Sequence, residues 1–229
     1  GSYSNVSLII MHVENDKDLS TFNTLAVPCI AKHYVTVATE EALREALTWA
    51  KSKAVVTVFL GGGSNVILPE QLNALVIQPQ FKGFTATPNG NNVNVRLGAG
   101  ENWHTSVSRC VNEGYYGIEN LALIPGSCGA APIQNIGAYG VELSDALESV
   151  EVFDTHTQRT AILPASACFL SYRDSLFKSI EPQRYVVMYI NLRLSLTEAP
   201  VLKYPALKQH LAEQGLASPS PADVLKAVV

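Results

Sequence analysis

Arg173 sits in Ser171-Tyr172-Arg173-Asp174-Ser175, five residues that can all hydrogen-bond. A guanidinium keeps its charge when buried and can stabilise negative charge that develops on a carboxylate or an enolate. The blander reading is an Arg173–Asp174 surface pair. Two other stretches could do chemistry without any charge. The first is Gly61-Gly62-Gly63-Ser64-Asn65, whose glycines allow successive N–H groups to form an anion-binding nest, with hydrogen bonds added by Ser64 and Asn65. The second is Leu121 to Gly140, within a run from Asn120 to Val141 that has no charged residue. It holds Pro125, Pro132, Gly126, Gly129, Gly137 and Gly140, with Gln134 and Asn135 in its middle. That is too interrupted for a buried helix and too rich in glycine for a strand, so it reads as a tightly folded loop that something approaches closely. Together the two loops suit a nucleotide cofactor. A diphosphate would be held by backbone N–H groups rather than lysines. A planar ring would lie against Ile124, Ile133 and Ile136, and Gln134 and Asn135 would read its polar edge. These residues do not distinguish a flavin from another nucleotide. A dinucleotide fingerprint is not matched, because Pro69 stops any helix after the first loop. His104, alone on a helix, reads as a packing or surface residue.

The elements that must position these groups are legible in outline. Ala31 to Ala38 reads as a strand. Thr39 caps a helix whose apolar face is Leu43, Ala46, Leu47 and Ala50. Val55 to Leu60 reads as a strand buried on both sides, and it delivers the first glycine loop at its carboxyl end, where ligands gather in α/β units. From Leu75 the pattern is β. Leu75 to Ile77 is a strand, Asn89-Gly90 marks a turn, and Val93, Val95 and Leu97 alternate. Asn102 caps a second helix with the stripe Trp103, Val107, Cys110 and Val111, stopped by Gly114. Val150 and Val152 lead through a turn at 154–157 to Thr160–Leu163. Val186 to Leu196 is a long strand that places Val186, Met188, Ile190, Leu192, Leu194 and Leu196 on one face. Residues 205–214 and a segment capped by Ser220 read as helices.

Composition bounds the rest. A chain of 229 residues, 47% hydrophobic and 16% charged, allows one large domain or two modest ones with a real core. A net charge of −4 gives no surface for tracking nucleic-acid phosphates. Cys29, Cys110, Cys128 and Cys168 form no C-x-x-C pair or zinc-site spacing, so no metal is expected, and they read as reduced thiols of a cytoplasmic protein. Leu8 to Met11 is too short for a signal peptide, and the prolines and glycines of the uncharged loop speak against a membrane span. Gly1-Ser2 reads as a cloning scar and residues 1–20 as a flexible tail.

The motifs also carry a resemblance. GGGSN at 61–65, GAGENWH at 98–104, NLALIPGSCGAAPIQNIGAYG at 120–140 and YRDSLFK at 172–178 resemble the UDP-N-acetylenolpyruvoylglucosamine reductase family, from Phe22 to Val229. GGGSN alone is weak; the long uncharged loop followed by YRDS is specific. The resemblance implies an α+β chain with the two-subdomain FAD-binding fold of the vanillyl-alcohol-oxidase (PCMH) type. It implies non-covalent FAD, with Gly62, Gly63, Ser64 and Asn65 in one cofactor loop. Pro125, Gly126, Ser127, Gly129, Ala130, Ile133, Asn135, Ala138 and Tyr139 fall in the other. It implies NADPH as reductant and a UDP-sugar enolpyruvyl ether as substrate, reduced to UDP-N-acetylmuramate in peptidoglycan synthesis. Arg173 matches the family's catalytic arginine; Tyr172 and Tyr204 match substrate-binding positions, Tyr204 being equally readable as packing before a helix. A monomer in the cytoplasm, binding neither nucleic acid nor membrane, is expected.

The family's proton-donating serine belongs to a G-S-F-F-K-N-P motif that does not occur in these 229 residues, and Ser175 does not match it. The expected organisation is therefore a tail at 1–20, a first FAD-binding subdomain at 21–72 and a second at 73–215. The beginning of a truncated substrate domain follows at 216–229, so that the chain binds FAD but turns over poorly. Two alternatives stand beside this. One is an FAD oxidase or dehydrogenase of the same fold, although no histidine lies between His33 and His104 to attach a flavin near the first loop. The other is a non-catalytic nucleotide-binding module.

Overall fold

The computed structural model describes residues 12–22, 28–61 and 69–197. They divide into two units, the first holding the described residues up to 60 together with 69–78, the second holding residue 61 and residues 79–197. The helices expected for 205–214 and after Ser220, the segment 216–229 and Tyr204 lie outside the described residues, as do Gly62, Gly63, Ser64 and Asn65.

In the first unit β1 (Glu14–Asp18) pairs antiparallel with β2 (Ile30–Val37) in the register Glu14↔Tyr34. The expectation of a tail through residue 20 is thus corrected. The sequence Glu-Asn-Asp-Lys-Asp contains no strand former, so pairing with β2 imposes the extended conformation. Leu19, which follows directly, is 1% exposed and packs with Cys29, Ala31, Tyr34 and Val76. Helix α1 (Glu40–Ser52) begins as expected, with Thr39 Oγ1 accepting from Ala42 N at 3.0 Å and Leu43, Ala46 and Ala50 buried. Strand β3 (Thr57–Phe59) is shorter than expected and is not buried on both sides, since Val56 just before it is 67% exposed. The reason is position: the sheet order is β1-β2-β4-β3, with β4 (Gln71–Pro79) parallel to β3, so β3 is an edge. The doubly buried run is in β4, where Ala74, Leu75, Val76 and Ile77 are all at 0% exposure. Because β4 completes this sheet, the first unit ends after Gln78 rather than at residue 72.

The second unit is built on five antiparallel strands in the order β10-β9-β11-β6-β5. β5 (Phe84–Asn89) and β6 (Asn92–Gly98) form a hairpin turning at Gly90, whose φ of +62° suits glycine. Helix α2 (Trp103–Asn112) follows. Next comes the uncharged loop, which contains a short helix α3 (Ala131–Gln134) and the small hairpin of β7 (Gly137–Ala138) and β8 (Val141–Glu142). β9 (Leu147–Asp154) and β10 (Arg159–Pro164) make the second long hairpin, and β11 (Tyr185–Ser195) returns through the middle of the sheet. α2 and the loop bury one sheet face, joining Val95, Leu97, Val107, Cys110, Leu121 and Ile190 in one core.

The single-face stripe expected for β11 is broken. Between Val187↔Val152 and Tyr189↔Glu151 the register shifts, which leaves Met188 as an extra residue. Beyond the bulge Ile190, Leu192 and Leu194 join the core, whereas before it the core residue is Val187 rather than Val186. A second shift, between Asn191↔Ser149 and Leu192↔Leu147, does the same to β9 at Glu148. A period-two pattern cannot reveal a residue inserted inside a strand.

The opposite face carries a polar cluster. Arg96 grips Glu151 with two bonds of 2.7 and 2.9 Å and lies 3.5 Å from the Tyr189 ring centre, while Asn191 Nδ2 donates to Glu151 at 3.0 Å. The Arg96 guanidinium, helped by Asn191, holds the Glu151 carboxyl below its ordinary value of 4.5. A depressed folded-state value means stability that is present above pH 4.5 and lost as pH falls below it. Glu151→Gln is therefore expected to cost about 1 kcal/mol at neutral pH, with the difference from wild type shrinking below the carboxylate range. Urea unfolding of both proteins across pH checks this.

Candidate functional site

The uncharged loop is seated by the start of α2. Asn102 Oδ1 caps that helix by accepting from Thr105 N at 2.9 Å. Trp103 Nε1 donates to Leu121 O at 2.9 Å, Trp103 N donates to Gly126 O at 3.0 Å, and His104 Nδ1 bonds to Ala122 O. The loop then runs antiparallel beside residues 99–102, with Cys128 N donating to Glu101 O at 2.8 Å and Gly129 N to Ala99 O at 2.9 Å. His104 thus anchors the loop, a role beyond the packing or surface residue its solitary place on a helix suggested.

The glycines divide into two kinds. A Cβ on Gly129 would lie 2.7 Å from Ala99 Cβ, so this glycine exists because the chain packs against itself. Gly98 is likewise pressed onto the backbone of Phe81 and Lys82. Gly126 is different. It is exposed, has a φ of +119°, and a Cβ there would meet nothing within 4 Å. The N–H groups of Gly126 and Ser127 have no acceptor among the described residues, whereas those of Cys128, Gly129 and Ala130 are all bonded within the chain. Two adjacent unbonded donors behind Pro125, which has none, fit the oxygens of a phosphate.

Further along, α3 ends at Asn135, whose φ is +44°. Its side chain does not face outward, as reading the polar edge of a ring would require. It is 1% exposed, with Nδ2 donating to Ser171 O at 2.9 Å and to Glu142 Oε2 at 3.2 Å, and Oδ1 accepting from Ser144 N at 3.0 Å. Any cofactor contact at Asn135 is left to its backbone. Ile133 is also in the core at 9% exposure, so of the three isoleucines only Ile124 and Ile136 remain half-buried. Gln134 is exposed, and Ala130 and Ala138 are half-buried. Tyr139 and Gly140 have φ values of +51° and +75° and turn the β7–β8 hairpin, with Asn120 Nδ2 reaching Tyr139 O at 3.4 Å.

Arg173 sits at the tip of a tight turn closed by Ser171 N to Asp174 O at 3.1 Å and Asp174 N to Ser171 O at 3.2 Å. Its φ is +50°, and Lys178 Nζ donates to its carbonyl oxygen at 3.0 Å. Its Nη2 donates to Gly137 O at 2.7 Å, which brings the guanidinium onto the uncharged loop. The surface-pair reading fails: among the described residues Arg173 enters no ion pair, and Asp174 instead accepts from Ser175 N at 2.8 Å and from the Ser179 hydroxyl. The guanidinium is exposed, next to Tyr172, which is 81% exposed. Ser175 is 1% exposed, donates to Ile133 O at 2.5 Å and accepts from Lys178 N at 3.3 Å, a structural role. Burial raises the Cys128 thiol to about 11, and its Sγ lies 3.5 Å from Ser106 Oγ, so it is protonated and inert at neutral pH. The sequence reading missed Asn135 and Lys178 as organisers of this turn; the only signal was an asparagine at the end of a short apolar helix.

The profile of the FAD binding domain family matches residues 31–158. The chain is similar to UDP-N-acetylenolpyruvoylglucosamine reductase from Psychrobacter cryohalolentis, at 40% identity over 93% of this chain and 59% of that protein. It is similar to the enzymes of the same name from Ralstonia nicotianae, at 40% identity with 92% and 63% covered, and Cupriavidus pinatubonensis, at 43% with 92% and 62% covered. The chain thus spans about three fifths of the length of these relatives. Among solved structures, UDP-N-acetylenolpyruvylglucosamine reductase from Thermus caldophilus superimposes with a TM-score of 0.61 at 22% identity, over 95% of this chain and 93% of that one. Cholesterol oxidase from Brevibacterium sterolicum gives 0.56 at 12% identity, over 85% and 39%. These likenesses show a shared fold, the two-subdomain α+β FAD-binding fold.

Gly129→Ala is expected to lower stability by about 1–3 kcal/mol through the contact with Ala99. Gly126→Ala, with open space around it, is expected to cost only the strain of its positive φ, about 1 kcal/mol. Thermal unfolding of the two variants checks the order.

Proposed function

The chain belongs to the family of FAD binding domains, and we propose that it is the flavin-holding part of a UDP-N-acetylenolpyruvoylglucosamine reductase. It would use NADPH to convert the enolpyruvyl ether of UDP-N-acetylglucosamine to UDP-N-acetylmuramate in peptidoglycan precursor synthesis, as a cytoplasmic monomer. About 40% identity across 93% of the chain to reductases of that name supports the reading. The observation that carries it is Arg173, an exposed guanidinium without a carboxylate partner among the described residues, held over the loop by its bond to Gly137 O at 2.7 Å.

The residues fit FAD. Gly126 and Ser127 would offer two unbonded N–H groups to a diphosphate, and Gly62, Gly63, Ser64 and Asn65, outside the described residues, are proposed as further donors. Pro125, Gly129, Ala130, Ile133, Asn135, Ala138 and Tyr139 shape the backbone wall. The chemistry that FAD supplies when bound is hydride transfer from NADPH to the enolpyruvyl carbon. Arg173 holds the substrate carboxylate and stabilises the negative charge that builds up beside it. Tyr172 would give the substrate an aromatic surface at the same turn, and Tyr204, outside the described residues, is proposed as a further substrate contact. Ser175 does not deliver the proton, because its hydroxyl is buried and donates to Ile133 O. With no G-S-F-F-K-N-P motif among the 229 residues, these residues alone are expected to turn over poorly.

Purified protein mixed with FAD is expected to retain visible flavin bands through gel filtration. Arg173→Ala should leave FAD affinity within about twofold and weaken the enolpyruvyl substrate about tenfold, equivalent to ~1.4 kcal/mol. Titration of the flavin band with substrate reads both. No flavin bound, or equal substrate affinity in the two proteins, overturns the reading. NADPH oxidation that depends on the substrate and runs at enzymatic rates would overturn the expectation of poor turnover.

A further inference from the structure

The turn that carries Arg173 is stitched to the uncharged loop by three hydrogen bonds that alternate in direction. Ser175 Oγ donates to Ile133 O at 2.5 Å, Asn135 Nδ2 donates to Ser171 O at 2.9 Å, and Arg173 Nη2 donates to Gly137 O at 2.7 Å. Residues 133, 135 and 137 of the loop thus each meet one residue of 171–175. The central stitch is donated by a buried side chain. Asn135 is 1% exposed, and its amide is saturated on both sides by Ser171 O, Glu142 Oε2 and Ser144 N. Glu142 Oε2 in turn accepts from Ser144 Oγ at 3.3 Å, which fixes the carboxylate that orients the amide. The bond from Arg173 lies two residues further along both strands of this seam, in the exposed part. A long side chain at an exposed tip gains restraint only from what fixes its backbone.

We propose that Asn135 is a positioning residue for Arg173: its buried amide fixes the 171–174 turn on the loop, so that the guanidinium is presented at Gly137 with its remaining donors outward. Asn135 touches neither substrate nor the reacting atoms in this role. Lys178, bonded to the Arg173 carbonyl, holds the same turn from its other side. The inference rests on the reading of Arg173 given above, but it is a statement about restraint and can be tested separately.

Two variants separate the amide from the backbone it sits on. Asn135→Gly keeps the left-handed conformation without strain and deletes the amide. Asn135→Asp keeps the size and the acceptor for Ser144 N, and replaces the donation to Ser171 O and Glu142 with a repelling oxygen. In isotopically labelled, FAD-loaded protein, the Arg173 Nε–H signal is assigned by its loss in Arg173→Lys. Its order on the nanosecond timescale is expected to be high in wild type. In both Asn135 variants it should fall to that of the exposed Arg159, a readout that a purely structural role for Asn135 would not move. Substrate affinity should fall about tenfold in Asn135→Gly, and Asn135→Gly added to Arg173→Ala should cost nothing more.

Unchanged order of the Arg173 signal in both variants overturns the proposal. So does a parallel tenfold loss of FAD, which would indicate collapse of the loop, and so does additivity of the two losses. If Arg173→Ala leaves substrate binding intact, the functional reading falls instead, and the Arg173 signal still decides what Asn135 does. Should Asn135→Asp fail to fold because two carboxylates meet at Glu142, Asn135→Gly decides alone.

Discussion

A loop without charges can be packed onto a sheet only if its backbone polar groups find partners there, because an unpaired buried N–H or C=O costs as much as a lost hydrogen bond. In this chain the start of α2 satisfies that condition. Trp103 and His104 take up the carbonyl groups of Leu121, Ala122 and Gly126, and the strip at 99–101 takes up the N–H groups of Cys128 and Gly129. Several features of the candidate site follow from this seating. It makes Gly129 obligatory, buries Cys128, sends Ile133 into the core and leaves the N–H groups of Gly126 and Ser127 without an acceptor among the described residues. The last point matters most. Donors that the fold leaves over, on an exposed bend beside a proline, are where a ligand can supply what the chain does not.

The same loop is the platform for Arg173. The guanidinium is brought to Gly137, two residues past Asn135, by a turn whose backbone is tied down from both sides. The proposed cofactor wall and the cationic side chain are therefore parts of one hydrogen-bonded object within the second unit. This arrangement suits the proposed reaction, in which a carboxylate must be held at a fixed place relative to a flavin. It also explains why the run from Asn120 to Ser175 contains so many polar residues without exposed roles. Asn120, Asn135, Glu142, Ser144 and Ser175 each bond the backbone or each other inside the seam.

Much of this was legible beforehand, and the exceptions have physical causes. The caps Thr39 and Asn102, the stripes of α1 and α2, and the turns at Gly90 and 154–157 depend on neighbours close in sequence, and all were found where the residue types put them. β1 was missed because its residues carry no strand preference and are held by β2. β3 was read as central because five apolar residues look alike whether or not a neighbour covers them. The bulges at Met188 and Glu148 were invisible because one inserted residue leaves the composition of a stripe unchanged. Within the site, Arg173 and the loop glycines stood out by type, and the family match agrees with the cofactor they suggested. Which glycine faces space and which faces Ala99 is a question of distance, and so is whether an asparagine points in or out. No spacing rule answers either.

The N–H donors at Gly126 and Ser127 have one further consequence. They are dipoles, with no lysine or arginine between residues 120 and 141 to add net charge. An anion captured there gains from oriented N–H groups at contact distance and very little from long-range attraction, so dissolved salt has little to screen. A carboxylate captured at Arg173 gains from a full charge on an exposed tip and is screened strongly. Ionic strength would then separate the two ligands of one loop: raising it would strip the substrate from the protein while leaving the cofactor in place.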